Sequence, residues 1–264
     1  MTSEPDPIAG VSAAMRRRLD RMPLTSASRR EFLQTYQRTT EAVGAAVRTG
    51  TFADPEWVQR WDAAFAGLYL AALDADLSGN DGVPRPWRLA FDAPAALPPL
   101  RHVLLGINAH VNYDLPQALL MVIPDEEFAD PLLLARRRRD HERIDDVLAR
   151  QVRAEDAELA RRSPRGLLDL VLTPLNQWAS RRWLREARQK VWHNAVELQR
   201  ARITGPEAYD ARLAELEELC AARIADLRAP GQVVLRLAIS GFGVVLPPQR
   251  SVATGRPSRR AEEA

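Results

Sequence analysis

The stretch Leu104-Leu105-Gly106-Ile107-Asn108-Ala109-His110-Val111-Asn112-Tyr113-Asp114-Leu115-Pro116-Gln117-Ala118-Leu119-Leu120-Met121 decides how this chain folds. Its apolar residues cover every side of a helix, and a helix apolar all round belongs inside a core. Asn108, His110, Asn112 and Asp114 interrupt it at the centre. Buried polar side chains are costly unless partnered, so these four predict either a hydrogen-bonded network or a functional site. On a helix, His110 and Asp114 share one face while Asn108 and Asn112 share another. Pro116 has no N–H and crowds the carbonyl of Asn112, which predicts a kink at the polar patch.

Outward from this central helix, placed at about 100–123, nearly every segment has helical period and strand signals are scarce. Ile8 to Met22 is one helix. A second follows Ser28 and Glu31, which are spaced as a capping box. Asp54-Pro55 is an N-cap with a first-turn proline, and Trp57, Trp61, Phe65, Leu68 and Ala72 continue from it as an apolar stripe. A short helix is expected around Trp87 to Phe91. A long, increasingly charged helix runs from about Pro131 to Arg161, another passes Trp178, Trp183 and Trp192 to about Ile203, and a third spans Glu207 to Leu227. The pattern predicts an all-α, single-domain multi-helix bundle over residues 7–250, with disordered tails at 1–6 and 251–264.

A chain of 264 residues can bury a sizeable core. Its 37 Lys and Arg against 35 Asp and Glu leave a formal charge of +2, too little to draw it to nucleic acid or anionic lipid. The lone Cys220 excludes an internal disulfide and a cysteine-rich zinc knuckle. Met1 to Gly10 is polar, without a signal core. The apolar run Val233 to Leu246 is too short to span a bilayer and contains Arg236. A cytoplasmic protein without a membrane span, acting on a small-molecule substrate or ligand, is the expectation; nothing in the pattern sets an oligomeric state.

The block Gly106-Ile107-Asn108-Ala109-His110-Val111-Asn112-Tyr113-Asp114-Leu115-Pro116 resembles the signature of an uncharacterised bacterial family of unknown function. Tyr36, Thr39 and Ala42-Val43, Phe52-Ala53-Asp54-Pro55, Phe65-Ala66 with Tyr69-Leu70, and Asp140-His141-Glu142-Arg143-Ile144-Asp145 resemble that family's pattern too. A more distant similarity is to the zinc-dependent phospholipase C and single-strand nuclease superfamily. Those all-helical enzymes hold metals through helical His-x-x-x-Asp and His-x-x-x-Glu pairs, the first followed by a Gln-Pro-containing stretch. Here His110-x-x-x-Asp114 precedes Leu115-Pro116-Gln117, His141-x-x-x-Asp145 follows, and His193-x-x-x-Glu197 is a third pair. Leu119 and Leu120 stand where that superfamily has a further histidine, so the resemblance implies at most a one- or two-metal site.

A histidine and a carboxylate at i and i+4 can converge on one cation, but a catalytic zinc needs about three protein ligands and a water. A divalent metal, zinc first, would therefore take His110 and Asp114 together with His141 and Asp145. The metal would activate water for hydrolysis of a phosphoester or small ester. Two further readings stand beside this one. In one, His110 is a metal-free general base oriented by Asp114, with Asn108 and Asn112 placing a substrate or an oxyanion. In the other, all four residues form a structural polar network. His141 lies among Arg136 to Arg139 and Glu142, most simply a solvated face with i,i+4 ion pairs. Tryptophans near the patch would wall a pocket or pack the core.

Overall fold

The computed structural model describes residues 6–23, 26–162, 167–231 and 241–248, with the side chains of all of these except 27, 100, 149 and 151–185. The expected tails before Asp6 and after 250, and the side chains of Trp178 and Trp183, lie outside the described residues. The described chain forms α1 (Pro7–Arg21), α2 (Ala27–Arg48), α3 (Pro55–Leu77), α4 (Arg85–Phe91) and α5 (Pro99–Ala109). A π-helical turn (His110–Asp114) follows, then α6 (Leu115–Val122), α7 (Asp125–Ala129), α8 (Pro131–Arg162), α9 (Leu167–Thr204) and α10 (Pro206–Arg228). No strand occurs among the described residues, and the fold is an all-α bundle.

Local chemistry sets the helix starts. The Asp6 carboxylate accepts the N–H groups of Ile8 and Ala9, with Pro7 in the first turn. Asp54 accepts the Trp57 N–H at 3.0 Å, with Pro55 first in α3. Both arrangements satisfy N–H groups that a helix cannot pair internally. The capping box expected at Ser28 and Glu31 does not form. Helix α2 begins earlier, at Ala27, and Ser28 Oγ instead donates to the Phe91 carbonyl at 2.9 Å, tying α2 to the end of α4.

The central rod of α5, the π-turn and α6 is buried along most of its length and packs against α2, α3, α4, α9 and α10. Its first half enters one apolar cluster with Phe32, Tyr69 and Trp87. Its second half enters another with Trp57, Leu198 and Leu216. Full burial of each such side chain is worth about 1.5–3 kcal/mol, which offsets the cost of carrying polar residues at the join. Gly106 lets α2 approach α5, because a Cβ there would lie 2.4 Å from a ring carbon of Phe32.

The backbone answers Pro116 with a π-turn at the polar patch. The Leu115 N–H reaches the His110 carbonyl, five residues back. Without a proline N–H the Asn112 carbonyl loses its usual partner, and one wider turn absorbs the mismatch. His110 and Asp114 are thereby brought into register on this turn.

Helix α8 corrects the expectation of a solvated charged face. Arg138 and Glu142 do make an exposed i,i+4 pair at 3.0 Å, but Arg137, Asp140 and His141 on the opposite side are buried. Four consecutive arginines cover all sides of a helix, so one must face inward, where it needs carboxylates. Arg137 bonds Asp54 and Glu127 and lies over the Trp57 ring. Asp140 accepts the N–H groups of Ala53 at 2.9 Å and Asp54 at 2.8 Å. The segment Phe52 to Pro55 and the one beginning at Asp140, distant in sequence, are thus joined in space.

Candidate functional site

His110 is 3% exposed and sits in a box of aromatic rings. Phe65 stacks on it with centroids 3.5 Å apart and planes 4° apart, while Tyr36 meets it edge-on at 4.5 Å. Its Nδ1 lies 2.8 Å from Asp114 Oδ2, and the same oxygen accepts the Trp87 indole N–H at 2.8 Å. Asp114 thus fixes the ring's orientation, as a carboxylate partner does for many functional histidines. Its other nitrogen, Nε2, is buried and has no hydrogen-bond partner.

Burial pushes the His110 imidazole well below its ordinary range and the Asp114 carboxyl well above its own, the Trp87 hydrogen bond pulling the latter partly back. Both directions follow from the penalty on isolated charge in apolar surroundings. They favour a pair of neutral groups in which the Asp114 hydroxyl donates to Nδ1 and Nε2 carries the imidazole proton.

A cavity of about 190 Å³ has His110 in its lining. It is walled by α2 (Phe32, Tyr36, Val43), α3 (Trp61, Phe65), the π-turn and α8 (Ile144, Leu148), with Arg188 of α9 also in the lining. Thr35, Thr39, Phe65, Ile107, Val111 and Leu148 of the lining retain some exposure. Two further buried polar residues line it: Tyr36, whose hydroxyl interacts with that of Thr40, and Asp62, whose Oδ2 has no partner. Burial, followed by the charge of Asp6, pushes the Asp62 carboxyl up to about 7. The charge of Arg188 is engaged elsewhere, by an ion pair with Asp145 and a 3.3 Å bond to the His141 carbonyl.

The four central polar residues separate into two groups. Asn108 and Asn112 do not line the cavity. Their Nδ2 groups donate to the Phe242 carbonyl at 3.1 and 3.2 Å, and Asn112 Oδ1 accepts the Val244 N–H at 3.3 Å. On α9, Asn194 extends the same pattern, donating to the Val244 carbonyl at 3.0 Å and accepting the Leu246 N–H at 2.9 Å. Residues 241–248 form an extended strap whose backbone pairs with side-chain amides in place of a neighbouring strand.

The metal donors proposed from sequence are dispersed among other partners. His141 packs between the rings of Trp61 and Trp192, at 5.2 and 5.6 Å, and Asp145 pairs with Arg188. His193 Nε2 lies 3.0 Å from the Leu246 carbonyl, whereas Glu197 pairs with Arg200 and Arg212. His102 is buried on α5 and does not line the cavity. Among the described residues no three of His, Cys, Asp and Glu group closely enough to hold a metal ion.

Comparison with known proteins places these features in a family. The model of the Family of unknown function (DUF5995) matches residues 8–230. The chain belongs to this family. No curated protein and no solved structure matches it. The DUF5995 match contains every residue of the cavity, the π-turn and all three strap-holding asparagines, and it ends before the strap they hold.

Three residues of this DUF5995 site escape a reading of the sequence as candidate groups: Trp87, Tyr36 and Asp62. Each leaves a faint signal. An indole in an apolar helix needs an acceptor for its N–H once buried. Asp62 is the one acid on a stripe with Val58, Phe65 and Tyr69 at helical spacing. No described helix is long and apolar enough to cross a membrane.

Proposed function

We propose that this cavity binds a small, largely apolar organic molecule and that His110 transfers a proton to and from it without a metal. The observation that carries the reading is His110 in the cavity lining, with Asp114 on its Nδ1 and its buried Nε2 without a partner in the protein. Ligand sites combine apolar walls with a few convergent polar groups, and a buried polar atom without a protein partner calls for one from a ligand or water.

The pair supports acid and base roles in succession. As Nε2 delivers its proton to the substrate, the Asp114 proton passes to Nδ1, leaving a neutral imidazole beside a carboxylate. That imidazole, with a lone pair on Nε2, can take a proton back from the substrate, and the Asp114 proton returns. No net charge is left unpaired on the buried protein groups beyond the carboxylate that Trp87 and Nδ1–H both bond. Asn108 and Asn112 have a structural role in this reading.

Metal-assisted hydrolysis, implied by the resemblance to the zinc-dependent phospholipases, requires a further ligand beside His110 and Asp114. The described residues supply no such trio, which favours the metal-free reading. A cytoplasmic protein independent of nucleic acid fits it.

The test is incubation of the protein in D2O with pooled small aromatic and aliphatic ketones, aldehydes and esters, monitored by NMR. The expected result is binding by some members with deuterium incorporation or turnover, lost in folded His110→Gln. Binding without either reaction would reduce the role to ligand binding. The proposal is overturned if nothing binds, or if His110→Gln leaves both binding and reaction intact. Near-stoichiometric zinc in protein purified without a tag or chelator, lost in Asp114→Asn, would restore the metal mechanism.

A further inference from the structure

We infer that the ligand of this cavity carries a protonated amine on a ring-sized apolar body, with Asp62 and Tyr36 as the groups that hold the ammonium. This rests on the cavity being a ligand site, as proposed above, and adds the ligand's chemical class.

The cavity poses a chemical problem that an apolar ligand would not solve. Asp62 is 8% exposed and Tyr36 6% exposed; both line the cavity, and Asp62 Oδ2 has no hydrogen-bond partner. They stand on facing helices, α3 and α2. The charge of Asp62 acts on the Tyr36 phenol, adding to the upward push of burial, so the two groups lie within electrostatic reach of each other. An unpaired carboxylate in such surroundings is expensive and is either neutralised by a proton or matched by a cation.

The protein's own cation in the lining does not fill that role. Arg188 is bound by Asp145 and the His141 carbonyl, and it is absent from the influences acting on Asp62, which are burial and Asp6. Among the described lining residues an anionic ligand finds no uncommitted positive group. An ammonium group brings three donors and no acceptor, matching a carboxylate oxygen and a phenol oxygen. The rings of Trp61, Phe65, Phe32 and Tyr36 in the same lining supply faces that attract cations in dry surroundings. A cavity of about 150 Å³ admits benzene, so about 190 Å³ suits one ring and a short chain. His110 Nε2 is left to meet a second polar atom of the ligand.

The experiment measures binding of 2-phenylethylamine, 2-phenylethanol and 3-phenylpropionate to the full chain by calorimetry at pH 7.5. The amine is expected to bind at least about tenfold more tightly than the alcohol, with the carboxylate weakest. Asp62→Asn should bring the amine down to the alcohol's affinity without changing the alcohol's own. Tyr36→Phe, which keeps the ring, should weaken the amine several-fold and serves if Asp62→Asn does not fold. Equal or tighter binding of the alcohol or the carboxylate overturns the amine assignment and leaves the cavity reading in place. An amine preference that persists in Asp62→Asn and Tyr36→Phe overturns it too. Failure of all three probes to bind counts against the amine class, while any hit in the D2O pool would still uphold the cavity.

Discussion

The end of α5 and the π-turn together present two polar pairs, each four residues apart, and the two faces behave in opposite ways. On one, Asn108 and Asn112 direct their amides to the strap, and Asn112 uses both ends of its amide there. On the other, His110 and Asp114 satisfy one another and Trp87 but leave Nε2 without a partner, and His110 lines a cavity with Tyr36 and Asp62. A hydrogen bond completed inside the protein contributes stability. A buried polar group held open for a ligand costs stability until the ligand arrives. The contrast separates polarity satisfied within the protein from polarity left open, within seven residues of one helix.

Several substitutions sharpen or break this contrast. The largest effect should come from Asp114→Ala, which strands the Trp87 N–H and Nδ1 of His110 in the core. Two buried polar groups without partners predict a loss of about 4 kcal/mol in urea unfolding, and retention of full stability would mean the site is wetter than the structure has it. Asn112→Ala should cost about 2–3 kcal/mol, because the Phe242 carbonyl and the Val244 N–H lose a partner. If the faces are independent, cavity-ligand affinity in that variant stays within about twofold of the parent.

A further effect is a slope with pH. The folded Asp62 carboxyl titrates near 7, against an ordinary value of 3.8. A carboxyl raised on folding binds more protons in the native state, so its contribution is favourable in acid and is lost as pH climbs from about 4 towards 7. Stability of the parent should fall relative to Asp62→Asn by up to about 1.4 kcal/mol per pH unit in that window. Parallel profiles for the two proteins would place the Asp62 carboxyl in contact with water. Taking the difference removes the opposing pull of His110 and His141, whose lowered values diminish stability as pH falls.

Helical period and the all-apolar faces of 104–121 were enough to read the bundle and its central rod, because burial imposes a pattern that each helix carries by itself. The His110–Asp114 contact was legible for the same reason, being a partnership within one turn. The fate of Asn108 and Asn112 was not, since their partners are backbone atoms about 130 residues away in the strap. Backbone groups leave no trace in side-chain spacing. Asp62 and Tyr36 became site residues only through the meeting of α2 and α3 around one cavity. The buried side of α8 escaped notice because the carboxylates that Arg137 needs, and the N–H groups that Asp140 caps, come from other segments.

The most direct test sets the two faces against each other in one experiment: urea unfolding at pH 7 of the parent, Asp62→Asn and Asn112→Ala. Opposite signs are predicted, with Asp62→Asn gaining at least about 1 kcal/mol as the buried acid is replaced by a neutral isostere, and Asn112→Ala losing about 2–3 kcal/mol. If Asp62→Asn instead destabilises the protein as Asn112→Ala does, Asp62 is a satisfied structural group, and the cavity face is no more open to a ligand than the strap face.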